Sequence, residues 1–178
     1  DENIKKYGLK SFKFTGNGAG TFRFLTVDVN PNSYYVAILE YYHQSGDTTG
    51  GLAIGDGSST RNGFGEHIKV SRAVVGKNNE WQLVKVKFKG DETPTGKVTI
   101  SASTITSTSD AVFNADGIRL YELTEEEYNA LDGMTDEEIA ALYPYVDSVQ
   151  HTRNPYVISY GKNLVDLKNN PVLKSLPN

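Results

Sequence analysis

Residues 34–44 read Tyr34-Tyr35-Val36-Ala37-Ile38-Leu39-Glu40-Tyr41-Tyr42-His43-Gln44. The run is apolar at odd and even positions alike, and it is rich in aromatic and β-branched residues. A strand of that kind has both faces covered and belongs in the middle of a sheet. The turn Asn30-Pro31-Asn32-Ser33 precedes it, with proline pre-set for the second turn position. Further along, Trp81-Gln82-Leu83-Val84-Lys85-Val86-Lys87-Phe88 alternates, with Val84, Val86 and Phe88 inward and Lys85 and Lys87 outward. Similar runs occupy residues 9–14, 50–54, 67–75, 96–103 and 112–121. Another covers 21–29, with Phe22, Phe24 and Thr26 on one face and Arg23, Leu25, Val27 and Val29 on the other. About eight short strands between polar turns predict an all-β antiparallel sandwich.

Composition agrees. The chain has 178 residues, one domain's worth with some left over. A domain of this size buries roughly 70% of its unfolded surface, so a sizeable core is available. Ser, Thr and Asn number 13, 15 and 14, and aromatics reach 11%, a balance that favours strands and polar loops over helices. The net charge of −4 argues against nucleic acid as a partner. No run of ~18 apolar residues could cross a membrane as a helix. The absence of cysteine removes disulfides, thiolate metal sites and cysteine nucleophiles, and leaves the compartment open. The first residues lack a signal-peptide pattern, as a mature or excised chain also would.

Charge is unevenly distributed. Residues 1–122 hold 14 Lys/Arg and 13 Asp/Glu, whereas 123–178 hold 4 and 9. All seven Phe and the single Trp precede residue 122. This predicts a β-sandwich over 1–122, a short acidic helical linker over 123–147 and an extended tail over 148–178. Within the linker, Thr124-Glu125-Glu126-Glu127 and Thr135-Asp136-Glu137-Glu138 are capping boxes, with acids in each first turn facing the positive helix end. They predict helices over 125–131 and 136–142. Helices of ~7 residues are marginal alone, so Tyr128, Leu131, Ile139 and Leu142 must pack on the sandwich or on each other.

Four segments carry a resemblance. They are Tyr7-Gly8-Leu9-Lys10-Ser11-Phe12-Lys13-Phe14, Asn32-Ser33-Tyr34-Tyr35-Val36-Ala37, Glu80-Trp81-Gln82-Leu83-Val84-Lys85-Val86-Lys87-Phe88 and Asn114-Ala115-Asp116-Gly117-Ile118-Arg119-Leu120-Tyr121-Glu122. In this order they resemble the jelly-roll carbohydrate-binding modules of the family four/nine type, within the galactose-binding-like superfamily. The resemblance implies a jelly roll, carbohydrate binding without catalysis, and a structural Ca²⁺ with Asp116 as its carboxylate ligand. The ligands usual on that family's opening strand are not visible here, and neither is the strand itself before Tyr7. The alternative for Asp116 is a turn-capping role before Gly117.

A second resemblance concerns setting. Leu123-Thr124-Glu125-Glu126-Glu127-Tyr128, Tyr143-Pro144-Tyr145-Val146-Asp147, Asn154-Pro155 and Gly161-Lys162-Asn163-Leu164 look like inter-module segments of tail and minor structural proteins of Gram-positive phages and prophages. It implies an extracellular or virion-associated protein of several modules, with neighbouring modules as partners. Residues 161–178 would then begin a following module, or supply a strand to this sheet or a neighbour's through residues 163–167.

Sugars are held by aromatic rings against their C–H faces and by planar polar side chains at their hydroxyls. Glu40, Tyr42 and Gln44 share one face of the central strand with Val36 and Ile38, and form a candidate trio if that face is open. Trp81 is a second candidate ring, with a packing role as its alternative. The glycine-rich loop 55–65 offers Arg61 and Asn62. Catalysis has little support. His43, His67 and His151 fit no H-E-x-x-H spacing, no G-x-S-x-G occurs, and Glu40 has no visible carboxylate partner. The expected function is a non-catalytic module that binds a polysaccharide or cell-wall glycan. The alternatives are a ligand-free spacer or oligomerisation module of a phage tail-like particle, and an accessory domain of a secreted polysaccharide-degrading enzyme.

Overall fold

The computed structural model describes residues 1–16, 20–46, 49–56, 67–72, 78–105, 111–145 and 157–159. Its strands are β1 (Phe12–Gly16), β2 (Gly20–Asp28), β3 (Tyr34–Ser45), β4 (Thr49–Gly55), β5 (His67–Arg72), β6 (Trp81–Lys89), β7 (Lys97–Ile105), β8 (Ala111–Leu123) and β9 (Val157–Ser159). Two sheets form, in the orders β1-β8-β3-β6 and β2-β7-β4-β5, with β9 added beside β8 in the first. All pairings are antiparallel except β8 with β9. This is the double Greek-key order of a jelly roll. The expected antiparallel sandwich is what the chain forms.

The central stretch lies where its composition puts it. β3 is bonded to β6 on one side and β8 on the other. Its Tyr35, Ala37, Leu39 and Tyr41 face the second sheet and pack with Leu52, Ile54, Val98 and Ile100 in the main core. Each such Leu or Ile contributes ~1.5–3 kcal/mol on burial. Gly50 is required here, because a Cβ on it would fall 2.1 Å from the Tyr41 hydroxyl oxygen.

The outer face of the first sheet has its own cover. After β8 come α1 (Glu125–Ala130), a 3₁₀ turn (Leu131–Gly133) and α2 (Asp136–Leu142). Both capping boxes form: Thr124 and Thr135 accept from the backbone N–H of Glu127 and Glu138, and those carboxylates accept from the threonine N–H groups. Tyr128, Leu131, Ile139 and Tyr143 pack on Val36, Ile38, Tyr121 and Leu123 as a second core. The acidic helices also meet the basic strand. Lys87 lies 2.7 Å from Asp132 and donates to the Tyr128 carbonyl, and Lys85 lies 3.9 Å from Asp136. The sequence reading expected Leu142 to pack, but it is 58% exposed. α2 ends there, and the chain leaves helical geometry at Tyr143, which takes the buried place.

The tail adds β9, with Val157, Ile158 and Ser159 opposite Leu120, Tyr121 and Glu122. The expected strand over 163–167 and the end of the run 67–75 lie outside the described residues. No helix among the described residues is long and apolar enough to cross a membrane.

Candidate functional site

The outward row of β3 is Val36, Ile38, Glu40, Tyr42 and Gln44, as the alternation predicts, but the row is not uniformly open. Val36, Ile38 and Glu40 are each 0% exposed, whereas Tyr42 and Gln44 are half-buried. The helices cover the first two. Glu40 lies under the N-terminal segment, so the expected open-face role does not hold for it. Its carboxylate is engaged three times: Arg119 Nη2 at 3.0 Å and the Tyr7 hydroxyl at 3.2 Å on Oε1, and Lys6 Nζ at 2.8 Å on Oε2.

A bulge assembles this cluster. Ile38 pairs with Arg119 and Glu40 with Asp116, so β8 has an extra residue opposite Leu39. Gly117 takes a φ of 58° there, a left-handed geometry that favours glycine. The extra residue resets the alternation and puts both Asp116 and Arg119 on the outer face. A Cβ at Gly117 would also fall 2.5 Å from the Tyr7 ring. Arg119 completes its bonding on the carbonyls of Tyr143 (2.8 Å) and Gly117 (2.6 Å). The Tyr7 ring meets that of Tyr145 in a tilted contact, centroids 4.9 Å apart, which joins the N-terminal segment to the residues that follow α2. Burial, then the nearby Glu40 carboxylate, push the Tyr7 phenol above its ordinary value, so it stays a donor at neutral pH.

Asp116 accepts from the backbone N–H groups of Lys6 (2.8 Å) and Tyr7 (3.0 Å) on Oδ2, and of Gly117 (2.7 Å) on Oδ1. Calcium takes six to eight oxygen ligands. Here both carboxylate oxygens face N–H donors, and among the described residues no group of three His, Cys, Asp or Glu side chains is placed to hold a metal. The three N–H donors on Asp116 fit a latch for the N-terminal segment and the turn-capping alternative.

Beyond Glu40 the face opens. Tyr42 pairs with Trp81 across β3 and β6, ring centroids 5.2 Å apart and planes at 51°. The pair is held from behind. Asn79 takes a φ of 59°, which asparagine tolerates, and its N–H donates to the His43 carbonyl at 2.8 Å. Asn78 Oδ1 lies 2.6 Å from His43 Nδ1. This turn sets where β6 starts and so where Trp81 stands. Gln44 donates its amide to Asn114 Oδ1, and Asn114 donates to Ser11 Oγ at 2.8 Å. The structure thus brings Tyr42, Trp81 and Gln44 together at one end of the face. Arg61 and Asn62 lie outside the described residues. Sequence reasoning missed Arg119, Lys6 and Tyr7. Simple alternation from Asp116 turns Arg119 inward, and only Asp-Gly at 116–117, a bulge signal, hints otherwise.

No protein-family model matches the chain, and no curated protein matches it. Among solved structures it is similar to "Family 16 Carbohydrate Binding Module-2", at 20% identity and a TM-score of 0.46, over 67% of this chain and 81% of that one. It is similar to TmCBM61 in complex with β-1,4-galactotriose, at 16% identity and a TM-score of 0.40, over 67% and 73%. It is also similar to the structure of infectious bursal disease virus, Gx strain, at 14% identity and a TM-score of 0.36, over 59% and 28%. The jelly-roll assignment stands on the strand order of the chain itself.

Proposed function

We propose that this chain is a non-catalytic module that binds a polysaccharide or cell-wall glycan within a larger extracellular or virion-associated protein. The observation that carries the reading is the opening of the outer face at Tyr42: past the fully buried Val36, Ile38 and Glu40, a half-buried Tyr42–Trp81 pair stands beside the half-buried Gln44 amide. Two rings at 51° offer a sugar two inclined faces, and the half-buried Gln44 amide beside them suits a hydroxyl. Arg61 and Asn62 remain candidate contacts from the 55–65 loop. Binding through one such pair is weak, and gains strength through repetition in a multivalent protein. An accessory domain of a polysaccharide-degrading enzyme would use the same site.

A spacer of a phage tail-like particle is the second reading. The docking of the helices through a second core favours it, because that fixes the segment following the sandwich in place. Co-sedimentation with insoluble polysaccharides and purified Gram-positive cell walls separates the two. The glycan reading expects saturable binding that Tyr42→Ala abolishes; absence of binding by folded protein to every surface supports the spacer. Read as a latch, Asp116 needs no calcium in either case. Asp116→Asn is expected to lower Tm equally with EDTA and with millimolar calcium.

A further inference from the structure

The two covers of the outer face differ in what they cover. The helices sit on Val36, Ile38, Tyr121 and Leu123, an apolar floor. The N-terminal segment sits on Glu40, Asp116 and Arg119, a charged one. To the two carboxylates this segment offers donors: the Lys6 ammonium, the Tyr7 hydroxyl and two backbone N–H groups. A hydroxyl-bearing ligand would offer carboxylates the same kind of donor. The covered floor is also continuous with the open pair. Glu40, Tyr42 and Gln44 are successive outward positions of β3, and Asp116 and Asn114 are the β8 partners of Glu40 and Tyr42.

We propose that residues 4–9 are a displaceable plug. With it lifted, Glu40, Asp116 and Arg119 form polar subsites of a groove that runs on from Tyr42 and Trp81 and takes a neutral polysaccharide chain. This rests on the reading of Tyr42–Trp81 as a glycan site. The charge sets the ligand class. With Lys6 in place, two carboxylates face two cations. With the plug lifted, two carboxylates face one guanidinium, and an anionic glycan meets a floor of its own sign. Plug and ligand compete, so the observed affinity is the intrinsic affinity reduced by the open fraction. Loosening the plug raises it.

The test uses the full chain as wild type and as Lys6→Met/Tyr7→Phe, which removes two donors and keeps the Tyr7 ring position filled. Amide hydrogen exchange at Lys6 and Tyr7 reports opening of the plug without any ligand. Binding is measured to neutral hydroxyethylcellulose, xylan and β-1,4-galactan, and to anionic polygalacturonate. The expected result is exchange at Lys6 and Tyr7 well ahead of the β3 and β8 amides. The variant is also expected to bind a neutral polymer about 5-fold more tightly than wild type, without a comparable gain for polygalacturonate. Exchange at Lys6 and Tyr7 only on global unfolding overturns the plug and leaves the Tyr42–Trp81 site standing. So does a variant that binds no more tightly than wild type, or that gains equally for polygalacturonate. No binding by either protein overturns both readings.

Discussion

Strand β3 presents one outward row to two different covers, and the comparison explains how this face works. Over Val36 and Ile38, the helices bring Tyr128, Leu131 and Ile139 and exclude water from an apolar contact. That contact is non-directional and proportional to area. Over Glu40, two residues earlier than Tyr42, the cover is a short segment held by ion pairs and hydrogen bonds. Such contacts are directional and fail together when one charge is left unpaired. An apolar cover therefore fixes a segment to the sandwich, while a polar one can be exchanged for another donor. Past Glu40, the Tyr42–Trp81 pair is only half-buried.

The largest expected effect is at the polar cover. Arg119→Ala leaves Glu40 buried with one cation instead of two, and also removes the bonds to the Tyr143 and Gly117 carbonyls. It should cost about 3–5 kcal/mol, read as a shift of the urea midpoint. A small cost would show that the Glu40 cluster is wetter than its burial implies. Next is the apolar cover. Ile139→Ala, at a position with 0% exposure, should cost about 2–4 kcal/mol by lost burial and cavity formation. If its cost were near zero, the helices would not be part of the folded unit. Smaller still, Thr135→Ala removes the N-cap of α2 and should cost about 1 kcal/mol, with Thr135→Asn restoring most of it.

The last effect appears only in alkali. Burial pushes the Tyr121 phenol up to about 12, with Arg119 pulling the other way and Tyr143 and Tyr7 adding to the rise. The unfolded phenol titrates near 10. A pKa raised by folding means the neutral form is favoured in the native state. Its contribution is therefore complete below about pH 10 and is lost as pH rises toward about 12. Denaturant midpoints measured across that window should fall, and Tyr121→Phe should flatten the fall.

Much of this was legible in the residues. The sandwich was, because 81–88 carries the two-residue period without ambiguity and 34–44, apolar on both faces, marks a central strand. Both helices were, because each capping box marks a start and Gly133 and Pro144 mark the ends. The face shared by Tyr42 and Gln44 was legible from period alone, and Trp81 from its own strand. What alternation cannot say is what lies on top of a face. The cover over Glu40 comes from Lys6 and Tyr7, in a segment with no period, some 34 residues away in the chain. Its other partner, Arg119, depends on a one-residue bulge that reverses parity. Two of the three N–H donors that meet Asp116 were hidden for the same reason, since they belong to that unpatterned segment, while the third, from Gly117, is the turn cap the sequence offered as the alternative.

The most direct test of the account uses Trp81, the single tryptophan of the chain. Its fluorescence is followed while a soluble neutral polysaccharide is titrated in, for wild type and for Tyr42→Ala. The account predicts a saturable change in Trp81 emission for wild type and none for Tyr42→Ala at unchanged Tm. Saturable binding seen by sedimentation with Trp81 emission unmoved would contradict it and place recognition elsewhere on the molecule.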